Sequence, residues 1–215
     1  MQALLSRSGA ACGLLYVVLL FGFTSIGGDA KFVLVAELVG MLLFLPFLGY
    51  LYGVLRVAEG GSGWLSATAL GAGLVDLTVK LGSLAPSFAA QQPGLPTPLH
   101  DTLHKMNSVA FIVTLLPIGV MLAAAAIVIL RTRVLPLWLG LFAALTAPAC
   151  WVNGMFLDAE FGPAFLLFLL WISLASIVLT LRAGRPDAGA AGTATAQPEL
   201  DATGRSSHHV GTPAS

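Results

Sequence analysis

Charge is scarce in this chain. Ten Lys and Arg and ten Asp and Glu make up 9% of 215 residues, where a soluble domain carries roughly a quarter. Cysteine is rarer still: Cys12 and Cys150 both lie inside apolar runs, without the spacing of a metal site or a disulfide framework, and read as small buried packing residues. No His-Glu-x-x-His motif occurs among the four histidines, and the formal net charge is zero. These shortages exclude a disulfide-stapled secreted module, a zincin-type protease and a basic nucleic-acid binder. What fills the chain is 57% apolar residues, with a mean hydropathy of +0.91. That composition excludes a disordered chain and predicts an all-α polytopic membrane bundle whose principal partner is the lipid bilayer.

An α-helix crosses a hydrocarbon core of ~30 Å with about 20 apolar residues. Six stretches meet that length: 9–27, 32–55, 64–85, 106–130, 135–157 and 161–181. The first is too long for a signal-peptide core and lacks an Ala-x-Ala cleavage site, so it is expected to be retained. The runs are continuous rather than alternating, which argues against a β-barrel. Residues 1–182 thus form the transmembrane domain. From 183 to 215 the chain is Ala, Gly, Thr, Ser and Pro with scattered charge, including His208 and His209, and a disordered cytoplasmic tail is expected.

The basic residues set the orientation. Arg7, Arg56, Arg131, Arg133, Arg182, Arg185 and Arg205 fall on one side, against Lys31 and Lys105 on the other. By the positive-inside rule both termini and the 56–63 and 131–134 loops are cytoplasmic, in a multi-pass cell-membrane protein. The 28–31 turn, a long 86–105 loop and the turn bearing Asp158 and Glu160 then lie outside. Pro46, Pro117 and Pro148 fall within spans two, four and five and should bend them. Small-residue stretches such as Ala69–Gly73 and Ala123–Ala126 suit close helix approach. Leu55-Arg56 followed by Trp64-Leu65-Ser66-Ala67 parallels Leu130-Arg131 followed by Trp138-Leu139-Gly140-Leu141, a short match that interface anchoring by Arg and Trp also explains.

Arg7 followed by Gly13-Leu14-Leu15-Tyr16, and the turn Arg131-Thr132-Arg133-Val134-Leu135-Pro136-Leu137-Trp138-Leu139-Gly140, resemble a large group of uncharacterised bacterial six-span integral membrane proteins. There an Arg-containing turn followed by Leu-Pro-x-Trp-Leu-Gly opens the fifth span, and x is often basic where this chain has Leu137. The resemblance implies a bacterial inner-membrane protein and brings no catalytic residues with it.

Three charges fall inside spans: Glu37, Asp76 and Lys80. Each costs about 2.5–3.5 kcal/mol at mid-membrane on insertion scales and should face protein or water and find a partner. Asp76 and Lys80 are one helical turn apart. Their face continues as Ser66, Ala69, Gly73, Asp76, Lys80 and Ser83, a small-and-polar stripe at the period of an interhelical seam. Glu37 and Lys80 each lie five residues inside the outer end of their span, which places them at one level. Asn107 and Asn153 are expected at similar height. Two readings remain open: an ion-pair network that fixes helix register, or an outward-facing polar pocket or ion path using Glu37, Asp76, Lys80 and Asn153. Just outside, Thr97 is a candidate N-cap with Pro98 at the first helical position. His100 and His104 then share a face at metal-ligand spacing, which Asp158 and Glu160 would complete, or serve simply as interfacial polar residues.

An intramembrane serine protease needs Ser and His deep in facing spans, and a membrane haem needs His on opposed helices. Neither pattern is present, so no catalytic residue, no cofactor and no enzyme activity are expected. The functional reading is a membrane protein binding or transporting a small molecule or ion. Its alternative is a structural or regulatory one, with a homo-oligomeric or membrane partner.

Overall fold

In the computed structural model the backbone is described for residues 2–22, 30–157 and 162–183, and among these every regular element is helical. Six α-helices run in chain order: α1 (Gln2–Gly22), α2 (Ala30–Glu59), α3 (Trp64–Ala90), α4 (Thr97–Thr132), α5 (Leu137–Val152) and α6 (Pro163–Ala183). A π-helical turn, Asn153–Leu157, extends α5. Five stretches are long and apolar enough to cross a membrane: Phe32–Glu59, Trp64–Ala90, Thr97–Thr132, Leu137–Phe156 and Pro163–Ala183. α1 contributes a shorter apolar helix, Ser8–Leu20. The expected first span of 9–27 extends into residues outside the described set, as do the expected tail from 184 onward and the turn with Asp158 and Glu160.

Each helix packs on its neighbours in sequence, and α6 closes the ring against α1. Neighbours are antiparallel, as short connections require. Gly73 of α3 lies against Leu48 of α2 and Met121 of α4, while Glu59 of α2 bonds Ser66 at the near end of α3. On α5, Gly140 meets Ile129 of α4, and Trp151, eleven positions further on, donates its Nε1–H to the Leu116 carbonyl at 3.2 Å. Trp171 of α6 donates to the Leu139 carbonyl at 3.1 Å. An aromatic seam fills the centre: Tyr16 and Phe44 have ring centroids 4.9 Å apart, and Phe44 meets Phe168 edge-on at 6.4 Å. Gly13 is the thin point of this seam, since a side chain there would run into Ser176 Oγ and the Phe47 ring.

The expected 86–105 loop is corrected. α3 runs through Pro86 to Ala90 and α4 begins at Thr97, leaving a connection of 91–96. Within α3, Ser83 Oγ donates to the Lys80 carbonyl at 2.8 Å and Ser87 Oγ to the Ser83 carbonyl at 3.4 Å, on either side of a proline that removes one helical donor. The Thr97 cap is also corrected, because the capping position is Pro96 and no side chain caps there. Prolines open three helices, with Pro98 in the first turn of α4, Pro136 before α5 and Pro163 starting α6, where a missing N–H costs nothing.

At one end of the bundle the 60–63 and 133–136 connections lie together. Gly60, Gly61 and Gly63 all take positive φ, so these three positions of the α2–α3 turn favour a residue without a Cβ. Arg56 Nη1 donates to the Gly60 and Gly61 carbonyls at 3.0 and 3.1 Å. Glu59 supplies the cap that Gly63 lacks, accepting from Leu65 N at 3.1 Å, Ser66 N at 2.8 Å and Ser66 Oγ at 2.5 Å. A carboxylate there meets the positive end of the α3 dipole. Arg182 Nη1 donates to the Val134 carbonyl, and Arg131 shares a cleft of about 290 Å³ with Glu59 and Trp64. Arg56, Arg131, Arg133 and Arg182 therefore gather at one end.

Candidate functional site

The stripe expected on α3 turns inward: Ser66, Ala69, Gly73, Asp76, Lys80 and Ser83 are all buried. Asp76 is 4% exposed and Lys80 is 7% exposed, although they are the two most polar side chains of that helix's middle. Gly73 makes this burial possible, since a Cβ there would collide with Leu48 and crowd the Met121 sulfur.

Lys80 does not close a salt bridge with Asp76. Among the described residues the ion pair within 4.0 Å is His100 with Asp101. The Lys80 Nζ instead lies 3.4 Å from the ring centroid of Phe111 on α4 and 5.5 Å from that of Phe165 on α6. The two rings meet edge-on at 4.6 Å. They form an aromatic corner whose negative π-faces hold the ammonium. Glu37 on α2, half-buried, and Asp76 both act on Lys80 electrostatically.

On its other side Asp76 meets the Thr114 hydroxyl of α4, a side-chain hydrogen-bond partner that also lies 2.7 Å from the Phe111 carbonyl. Asp76 Oδ1 is buried and has no hydrogen-bond partner among the described residues. The hydroxyl of Tyr16 on α1 and the thiol of Cys150 on α5 both lie within its electrostatic reach. Cys150 Sγ is 3.9 Å from the Ala164 carbonyl. The polar centre therefore draws on all six helices, since α6 contributes Phe165.

Asn153 is 1% exposed and opens the π-helical turn after α5. Its side chain packs on Gly162, where a Cβ would overlap it. Asn107 is half-buried on α4. His100 and His104 do share one face of α4, with ring centroids 4.5 Å apart. Asp158 and Glu160, which would complete a metal site with them, fall outside the described residues; within those residues no group of three or more His, Cys, Asp and Glu side chains is placed to hold a metal ion.

Four contributors were not singled out from sequence: Tyr16, Phe111, Thr114 and Phe165. An aromatic residue in an apolar helix carries the same signature whether it packs on leucine or on a cation, so only the tertiary contact distinguishes them. No known family profile, curated protein or solved structure matches the chain.

Proposed function

We propose that the chain is a six-span bacterial inner-membrane protein, with α1 as its first span and both termini cytoplasmic. It binds or transports a small molecule or ion at a polar site built on Glu37, Asp76, Lys80 and Asn153. The five long apolar helices support membrane residence. The gathering of Arg56, Arg131, Arg133 and Arg182 at one end supports the orientation.

One observation carries the functional part: the buried pair is split. A network that existed only to lock helices together would satisfy its charges against each other, because an unpaired buried carboxylate costs stability. Here Lys80 Nζ lies over aromatic rings, and Asp76 Oδ1 has no hydrogen-bond partner among the described residues. Ionisable side chains at membrane depth are rare and mark substrate and ion pathways. The second reading, a structural or regulatory protein, draws support from the same aromatic corner, which ties α3 to α4 and α6 through Lys80.

Replacing Glu37, Asp76 and Lys80 together by apolar residues of similar size tests the choice, since such replacement of buried charge is often neutral for folding. The expected triple variant accumulates in the membrane and melts like the parent, yet fails to restore the phenotype of a gene deletion. A triple variant that restores it fully would overturn the binding or transport reading. No catalytic role is assigned to any residue.

A further inference from the structure

Charge counting at the polar centre says what it would bind. Glu37 and Asp76 bring two carboxylates, and Lys80 brings one ammonium. The other titratable groups facing Asp76 are the Tyr16 phenol from α1 and the Cys150 thiol from α5; neither carries positive charge in any protonation state. The α4 and α6 side chains there are Thr114, Phe111 and Phe165, which do not titrate. With all three charged groups ionised, the centre holds one negative charge too many for a low-dielectric surrounding. Asp76 is the more deeply buried carboxylate, 4% exposed against a half-buried Glu37, and its Oδ1 has no hydrogen-bond partner among the described residues, so the excess falls on Asp76.

We propose that this cluster takes one exchangeable monovalent cation, a proton or an alkali-metal ion, on the carboxylate of Asp76. The inference rests on the binding reading above and adds the class of ligand. A divalent ion would reverse the imbalance rather than cancel it, and no group of three or more His, Cys, Asp and Glu ligands is available for one among the described residues. Thr114 suits a cation in either form. Its hydroxyl is a hydrogen-bond partner of Asp76 and also reaches the Phe111 carbonyl at 2.7 Å; with its hydrogen on that carbonyl, its oxygen is an acceptor toward Asp76. A proton on Asp76 turns the carboxylate into a hydroxyl donor for that oxygen, with no bond broken. An alkali ion uses the same two oxygens as ligands. When the cation leaves, Asp76 is again ionised, and Lys80, one turn away on the same helix, is the described cation able to leave the Phe111–Phe165 corner and replace it. Cation exchange is thereby tied to the contact of α3 with α4 and α6.

The full-length protein in lipid nanodiscs provides the test, with two arms. For the alkali ion, melting is followed in sodium, potassium or choline chloride at equal ionic strength. A midpoint several degrees higher in sodium or potassium than in choline, and no such difference in Asp76→Asn, supports an alkali-metal ligand. For the proton, the infrared band of a carboxylic acid is sought at neutral pH; a band present in the parent and absent in Asp76→Asn supports a proton. If Asp76→Asn does not accumulate, heavy-carbon labelling of aspartate in the parent assigns the band without a variant, and the cation comparison is read on the parent alone. A parent melting identically in all three salts and showing no aspartic-acid band would overturn the inference. So would a shift produced by magnesium or calcium alone. Either result leaves the binding reading standing, because that reading falls only if the triple apolar variant is fully functional.

Discussion

The contact between Lys80 and Phe111 is open to a double-mutant cycle. With Nζ 3.4 Å from the ring centroid and the lysine 7% exposed, the ammonium is stripped of most of its water, the regime in which a cation–π contact is worth about 2 kcal/mol. Phe111→Leu keeps an apolar side chain and removes the π-face. Lys80→Met keeps the stem and removes the charge. Each single variant mixes the contact with other losses: the leucine leaves a packing defect, and the methionine removes the positive charge that acts on Glu37 and Asp76. The cycle cancels both. The four proteins would be unfolded in mixed micelles by increasing denaturing detergent, with helix content as the readout. A coupling of about 1–2 kcal/mol is expected. The same cycle with Phe165→Leu should give a smaller value, because its centroid is 5.5 Å away and charge–quadrupole attraction falls steeply with distance. Additivity within about 0.5 kcal/mol for Phe111, or a larger coupling for Phe165, would refute the placement of the ammonium in the aromatic corner and with it the split pair.

Gly119→Ala should destabilise by about 1–3 kcal/mol through overpacking, since the new Cβ meets the Trp151 indole; Trp151→Leu in the same chain should restore most of it, and no rescue would show that the α4–α5 contact lies elsewhere. Glu59→Ala should speed hydrogen exchange at the amides of Leu65 and Ser66, which it caps, with Glu59→Gln intermediate; unchanged exchange would mean that the turn caps α3 without it. A reporter active only outside the cytoplasm, fused after Arg182, should be silent, and activity there would reverse the orientation.

The bundle was legible because membrane spans announce themselves by length and hydropathy, and the α3 stripe because spacings of three and four admit one buried face. Glu37 and Lys80 were matched in depth by counting residues, which works when helices cross the membrane at comparable tilt. The extent of α3 and α4 was not legible. Pro86 and the polar residues 91–105 look like a loop, yet α3 continues through its proline to Ala90 and α4 starts at Thr97. The cap on α3 was hidden too: Gly63 offers no side chain, and Glu59 reaches it across a turn of glycines. Least legible was the corner around Lys80. The sequence pairs Lys80 with Asp76 by spacing alone, but one turn of helix brings two side chains to the same face without obliging their charged ends to touch.

That distinction bears on the helix irregularities near the polar centre. Pro117 lies one turn from Thr114 on α4, Pro148 lies just before Cys150 on α5, and the π-helical turn begins at Asn153. Each proline removes the helical donor of the carbonyl four residues earlier, and a π-turn shifts the hydrogen-bond register by one residue. In lipid such carbonyls must find partners within the protein. A helix built only to pack would gain from regularity at this depth, where water offers no compensation. Grouping the irregularities on α4 and α5 beside Thr114, Cys150 and Asn153, while α3 runs unbroken through Asp76 and Lys80, places the adaptable backbone opposite the fixed charges. If α4 and α5 adjust when Asp76 gains or loses its cation, restoring the missing helical donor with Pro117→Ala should leave folding intact and weaken the difference between the cation-bound and cation-free states. Equal melting responses of Pro117→Ala and the parent to the bound cation would show that the proline is only tolerated, and that α3 and its charges act without the helices beside them.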